Sequence, residues 1–364
     1  MKMKKKILIN TIFLIFPIIF SGQVKTIKFL NKQDSKPIIG LQLFSETGSH
    51  LGNTNINGEF EFNLQLLKQN NINNVTAYNT DYYVLEYNLN EIPSIIYLTK
   101  NVTQLKEVEV VARSSKKYYT LKGYFRSWQL INGKLIKYGD GIVDYHVPYA
   151  DAVNDFNTGV KSYMKAFRTF KGDSTAQILK MVKAPPLDGY LNVTRIPKND
   201  MLKRDLRHNA KCLNENTSEI FKDDKKIGYV IFDKSNIPVL ISTATNQDDV
   251  EEINYFGRIT AKFSDVEKWV GEGDTRHPIY IFSNIKTNGK LEKDGKINQI
   301  ETITEIFIED KIIYNDKKPD KYSMIYRDKS FYNFNYWDEL LLKYPLPKEI
   351  QTQLTKVNEN KNIY

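Results

Sequence analysis

Cysteine is almost missing from this chain. Cys212 stands alone among 364 residues, so no internal disulfide can form, and no CxxC or Cys/His spacing offers a metal site. Histidine is also scarce, with four in the whole chain. No GxSxG, HExxH or phosphate-cradling glycine loop occurs after the first turn of sequence, which removes the familiar hydrolase, metallopeptidase and nucleotide-binding signatures. No basic block follows the N-terminus, so nucleic-acid binding lacks its electrostatic footprint. No apolar run reaches the roughly 20 residues that a spanning helix needs.

What is present begins with Lys2, Lys4, Lys5 and Lys6, a basic leader without an acid, followed by an apolar run from Ile7 to Phe20. That order and length match a secretory signal peptide, with cleavage expected near Gly22 after the small residue Ser21. The alternative is a retained anchor, which Pro17 weakens by removing a backbone donor. No cysteine near the cleavage region offers a lipid acceptor. Removing the leader takes four lysines and lowers the formal charge from +9 to +5. The expectation is an exported protein, periplasmic or associated with the outer membrane, touching a membrane only through its leader. A mature chain of this length predicts two domains.

Residues 23–100 read as short strands separated by turn chemistry. Val24–Leu30 and Ile38–Phe44 alternate apolar with polar, and Glu59-Phe60-Glu61-Phe62-Asn63-Leu64 does so strictly. Gly48, Gly52-Asn53 and Asn57-Gly58 lie between them and permit tight turns. Further runs at Val75–Tyr78, Tyr82–Leu89 and Ile95–Leu98 continue at intervals that suit a sandwich of about seven strands. Gly40 with Leu51-Gly52-Asn53-Thr54-Asn55-Ile56-Asn57-Gly58-Glu59-Phe60-Glu61-Phe62 resembles the carboxypeptidase-like regulatory domain, also called prealbumin-like or CNA-B-like. That resemblance implies a seven-stranded sandwich in a Gram-negative envelope protein. Asn55 and Asp81 stand where many members carry Asp and Gly.

Residues 101–117 form a linker strand, in which Leu105-Lys106-Glu107-Val108-Glu109-Val110-Val111-Ala112 is similar to the strand following such a module in TonB-dependent receptors. The remainder is too short for a 22-stranded barrel, which excludes a receptor. Residues 118–364 read as a large antiparallel sheet or half-barrel with a few helices. Tyr118–Ile131 and Lys134–Val147 flank Asn132-Gly133, a strong hairpin signal. Strands are also expected at Tyr229–Phe232, Val239–Ser242, Ile253–Phe263, Ile279–Ile285, Ile297–Glu309 and Tyr322–Tyr326, with a turn at Lys293-Asp294-Gly295-Lys296. Helices are expected near Asp151–Phe167, Ser264–Val270 and Pro347–Val357, and the segment around Trp337 to Pro347 is expected to dock on the sheet. Gly123-Tyr124-Phe125-Arg126 with Gly141-Ile142-Val143-Asp144-Tyr145 resembles a hairpin of envelope proteins in which a domain of unknown function follows the regulatory module. It implies a compartment and an architecture without a reaction.

Two polar clusters merit weighing. Alternation from Ile142 places Asp144 and His146 on one strand face beside Asp140, a carboxylate and an imidazole that suit a metal or acid–base chemistry. The competing reading is a solvated face opposite Val143, Tyr145 and Val147. In Gly271–Pro278, the side chains of Asp274, Arg276 and His277 either converge on a ligand or form an exposed connection. Cys212 is expected to be a buried small hydrophobe or a chance thiol, with His208 four residues earlier as the near imidazole that a catalytic thiol would need. The aromatic stretch Phe331–Trp337 suits packing or an interface. No residue is assigned to catalysis, metal or cofactor. The leading expectation is a non-enzymatic envelope protein whose sandwich docks and whose β-rich domain binds a protein, glycan or lipophilic partner. The alternatives are a secreted hydrolase or metal-dependent enzyme, and an accessory component of a transport or surface-assembly complex.

Overall fold

The computed structural model describes residues 24–101, 118–148, 160–171, 187, 209–222, 224–244, 251–254, 258–271, 276–290, 297–314 and 334–361. The leader, the linker strand, the turn at 293–296 and the strand expected at 322–326 lie outside them. The protein is mainly β, built from several antiparallel sheets. Contacts divide it into two units, residues 1–46 with 51–100, and residues 47–50 with 101–364.

The first region holds β1 (Val24–Asn31), β2 (Gln42–Ser45), β3 (His50–Asn53), β4 (Glu59–Asn63), helix α1 (Leu64–Gln69), β5 (Asn74–Asn79), β6 (Tyr82–Asn88) and β7 (Ile95–Leu98). One sheet runs β4-β1-β7 and the other β3-β2-β5-β6. Strand β1 pairs antiparallel with β4 and parallel with β7. Side chains from both sheets fill one core, including Ile27, Phe29, Phe62 and Ile96 from the first and Leu43, Val75 and Ala77 from the second. The alternation in β4 drives Phe62 into that core and leaves Phe60 half buried against it, ring to ring at 4.7 Å. The turn before β4 is tied by the Asn55 side chain, which accepts from the amides of Asn57 and Glu59. Gly58 closes that turn at φ 71°, where a Cβ would lie 2.6 Å from the Phe29 carbonyl oxygen. Helix α1 was not expected from the strand alternation. Asn63 caps it, its side chain accepting from the Leu66 amide at 3.0 Å.

The second region is an eleven-stranded sheet. Its strands are β8 (Tyr118–Ile131), β9 (Lys134–Pro148), β10 (Lys161–Lys171), β11 (Asn209–Asn214), β12 (Thr217–Lys222), β13 (Lys225–Phe232), β14 (Pro238–Ala244), β15 (Glu251–Asn254), β16 (Arg258–Val270), β17 (His277–Lys290) and β18 (Ile297–Tyr314). Their order is β10-β9-β8-β18-β17-β16-β14-β13-β12-β11, with β15 beside the first part of β16. Every pairing in it among the described residues is antiparallel. The β8–β9 hairpin turns on Asn132 and Gly133, at φ 50° and 76°, as the dipeptide predicts. Helices α2 (Phe334–Lys343) and α3 (Lys348–Lys361) follow the sheet, and Leu340, Leu346, Ile350 and Leu354 are buried.

Three expectations need correction. The helix expected at Asp151–Phe167 is strand β10 from Lys161 onward, its first residues lying outside those described. Ser264–Val270 is the end of strand β16. Val266, Trp269 and Val270 imitate helical spacing, but a register shift between Lys268 and Trp269 lets a strand bury residues at that interval. Cys212 is exposed on β11, which ends the sheet path. The central strands bury both faces: almost every residue from Tyr119 to Leu130 is inaccessible. Each large apolar side chain buried there contributes about 1.5–3 kcal/mol.

Candidate functional site

Away from the register shifts, side chains on the two faces of the large sheet alternate by parity, so directly paired residues on neighbouring strands share a face. The even-numbered positions of β8 carry a closed polar network. Arg126 donates from Nε to Glu305 Oε2 at 2.5 Å, from Nη2 to the Pro345 carbonyl at 3.1 Å and from Nη1 to the Tyr344 carbonyl. The hydroxyl of Tyr280 donates to the second Glu305 oxygen at 2.7 Å. Tyr124 and Tyr138 both donate to Asp140 Oδ2, at 2.9 and 2.8 Å. Arg126, Asp140 and Glu305 are completely inaccessible. Burial, followed by the Asp140 charge, pushes the Tyr124 hydroxyl well above its usual range, which keeps it a donor. Tyr344 stacks on Phe307 with ring centres 4.1 Å apart and on Tyr124 at 5.6 Å. The turn Thr47–His50, which belongs to this unit, covers the same face. Trp128 Nε1 donates to the Gly48 carbonyl, Glu301 accepts from Ser49 Oγ and the His50 amide, and His50 lies against Phe282.

The opposite face is organised in cross-strand rows. One row reads Gly141, Phe125, Ile306, Ile281, Glu267, Ile241, Val230 and Ser218, crossing from β9 to β12. Glu267 is the sole carboxylate in a line of apolar side chains. The adjacent row reads Ser127, Thr304, Ser283, Asp265 and Thr243, four hydroxyls and an acid. Thr304, Ser283, Asp265 and Thr243 all keep part of their surface accessible. Burial raises Asp265 to about 6, opposed by its hydrogen bond from Ser283. Burial raises Glu267 to about 8, opposed by the Trp269 indole N–H at 3.0 Å and reinforced by Asp265. Burial therefore favours the protonated form of Glu267, which can both donate and accept.

Of the polar-cluster residues singled out from sequence, Asp140 belongs to the network on the Arg126 face and the others fall outside it. Asp144 and His146 do share a face of β9, but both are buried, so the solvated reading is wrong. His146 Nδ1 lies 2.6 Å from the Thr120 hydroxyl, and its ring meets Tyr163 edge-on at 4.8 Å. Asp144 pairs across the ladders with Lys122 and Tyr163. Arg276 and His277 are also buried, and the exposed-connection reading fails for them. Arg276 donates to the Pro238 carbonyl and stands over the Trp269 ring at 5.3 Å. Burial lowers its pKa, with Asp233 opposing. His277 opens β17 opposite Val270. Asp274 lies outside the described residues. Strands β9 and β17 are separated by β8 and β18, so the two clusters occupy different strands and do not pair. Among the described residues no group of three or more His, Cys, Asp or Glu is placed to hold a metal ion. Sequence reading missed Glu305, Asp265 and Glu267. For Glu305 the only signal was an acid inside a strand pattern, which a solvated strand shows equally, and Asp265 and Glu267 fell in the segment expected to be a helix.

No family model matches the chain. No curated protein matches it either. Among solved structures, one describing lipid–protein interactions in lipovitellin aligns at 7% identity and a TM-score of 0.25. The alignment covers 57% of this chain and 27% of lipovitellin, so this protein spans about a quarter of that chain, and a likeness of this size carries no argument about function.

Proposed function

We propose that this protein is exported to a bacterial envelope and binds a lipophilic ligand with an uncharged polar head. In this reading the first unit is a prealbumin-like seven-stranded sandwich of the carboxypeptidase-like regulatory kind and serves as a docking module. The observation that carries the ligand reading is the pair of adjacent rows on the eleven-stranded sheet. The row containing Phe125, Ile306, Ile281, Ile241 and Val230 is buried in the protein's own core and forms an apolar interior under the part-accessible polar row that a ligand would meet. Beside it, the hydroxyls of Ser283, Thr304 and Thr243 with Asp265 and protonated Glu267 suit a head that exchanges hydrogen bonds. An anionic head would meet Asp265 and is disfavoured. Arg126, Glu305 and Asp140 on the other face have their hydrogen bonds satisfied within the protein, which gives them a structural role.

Fractionation of cells expressing the full chain, with mass spectrometry of the N-terminus and of extracted small molecules, tests both halves. The expected result is a chain beginning near Gln23 outside the cytoplasm, carrying a co-purifying amphiphile. Intact Met1 on a cytosolic form overturns export. Failure to retain or take up any neutral amphiphile overturns the ligand.

A further inference from the structure

A depression of about 570 Å³ opens on the first unit, within the size range of small-ligand sites. Three aliphatic residues line it: Leu64 from the start of α1, Ile72 from the turn into β5, and Leu89, which is buried, from the turn after β6. Two lysines line it as well, Lys25 from β1 and Lys68 from the last turn of α1. No acid lines it. Lys25 donates one of its three hydrogens to the Ile92 carbonyl at 2.5 Å, which fixes the ammonium and leaves two donors. Lys68 makes no ion pair among the described residues. Asn71, Asn73 and Asn90 complete the lining, and the Asn73 side-chain nitrogen donates to the Asn71 carbonyl at 3.5 Å.

These groups answer one chemistry. A carboxylate meets the ammoniums, an aliphatic side chain meets Leu64, Ile72 and Leu89, and a peptide group finds its complement in an asparagine amide. Inorganic phosphate would leave the aliphatic lining without a partner. A sugar would find no aromatic ring to stack on, since none lines the depression. We propose that this depression captures the C-terminal carboxylate of a partner polypeptide whose last residue is aliphatic. The proposal names the partner chemistry of the docking module and rests on that role. The two fail separately, because fractionation reads compartment and ligand whereas the titration below reads only this pocket.

The test is fluorescence anisotropy with the full mature chain and three dye-labelled hexapeptides: one ending in leucine with a free carboxylate, its C-terminal amide, and one ending in aspartate. The free acid ending in leucine is expected to bind about tenfold or more tighter than the amide, a difference of about 1.4 kcal/mol. It should also exceed the peptide ending in aspartate. Lys68→Gln combined with Lys25→Gln should reduce the acid–amide difference to under about threefold, and Lys25→Arg with Lys68→Arg should retain it. Circular dichroism confirms folding of each variant. Equal binding of acid and amide, binding unchanged in the glutamine variant, or no binding of any peptide would overturn the proposal.

Discussion

Replacing Glu267 with glutamine isolates the cost of placing a carboxylate in an apolar row. Glutamine keeps the length of the side chain and its oxygen can still accept from the Trp269 indole, so the change removes charge and little else. The folded protein holds the Glu267 proton up to about pH 8, against an ordinary value of 4.5. A carboxyl whose pKa is raised on folding favours the folded state at low pH. The penalty grows as pH climbs through the ordinary value and is complete above the folded value. Across about 3.5 pH units at about 1.4 kcal/mol each, the ceiling is about 5 kcal/mol. Glu267 keeps some accessible surface, which reduces the expected effect to about 2–3 kcal/mol. Urea unfolding followed by tryptophan fluorescence at pH 5, 7 and 9 measures it. Glu267→Gln should change stability little at pH 5 and raise it by that amount at pH 9. Asp265→Asn should show its gain almost complete by pH 7, because Asp265 titrates near 6. An equal effect of Glu267→Gln at pH 5 and pH 9, or a loss of stability at pH 9, would refute the placement of a desolvated acid in that row.

The buried Arg126–Glu305 pair supplies a second test. Arg126→Met strands Glu305 without its cation and should cost about 3–5 kcal/mol, whereas the double variant with Glu305→Leu should recover most of the loss; a double variant as unstable as the sum of the singles argues against the pairing. At Gly228 a Cβ would sit 2.0 Å from the Ser242 carbonyl oxygen on the next strand, so Gly228→Ala should cost roughly 2–3 kcal/mol in the same urea measurement. A neutral alanine there would show that β13 and β14 lie farther apart.

How much of this was readable in advance varies with the range of the interaction. The β8–β9 hairpin was legible because Asn132-Gly133 supplies positive φ between two alternating runs, a purely local requirement. The segment Ser264–Val270 was not, because its apolar residues satisfy a helical period as well as a bulged strand, and the choice belongs to the neighbours β14 and β17. Asp144 and His146 were placed on one face correctly, yet their burial follows from what packs on β9. Arg126 was visible within a hairpin motif, but its carboxylate lies 179 residues away on a strand whose alternation announced only that it was a strand.

The amino-acid order alone determined a β-rich chain with its main turns, because alternation and the conformational freedom of Gly and Asn act within a few residues. Tertiary structure decided which strands adjoin, and so which side chains share a row. That is why Glu267 among isoleucines, Asp265 among hydroxyls and Arg126 on Glu305 came into view only with the sheet assembled. Side-chain parity along a strand is local, whereas the register between strands is set by burial across the whole sheet.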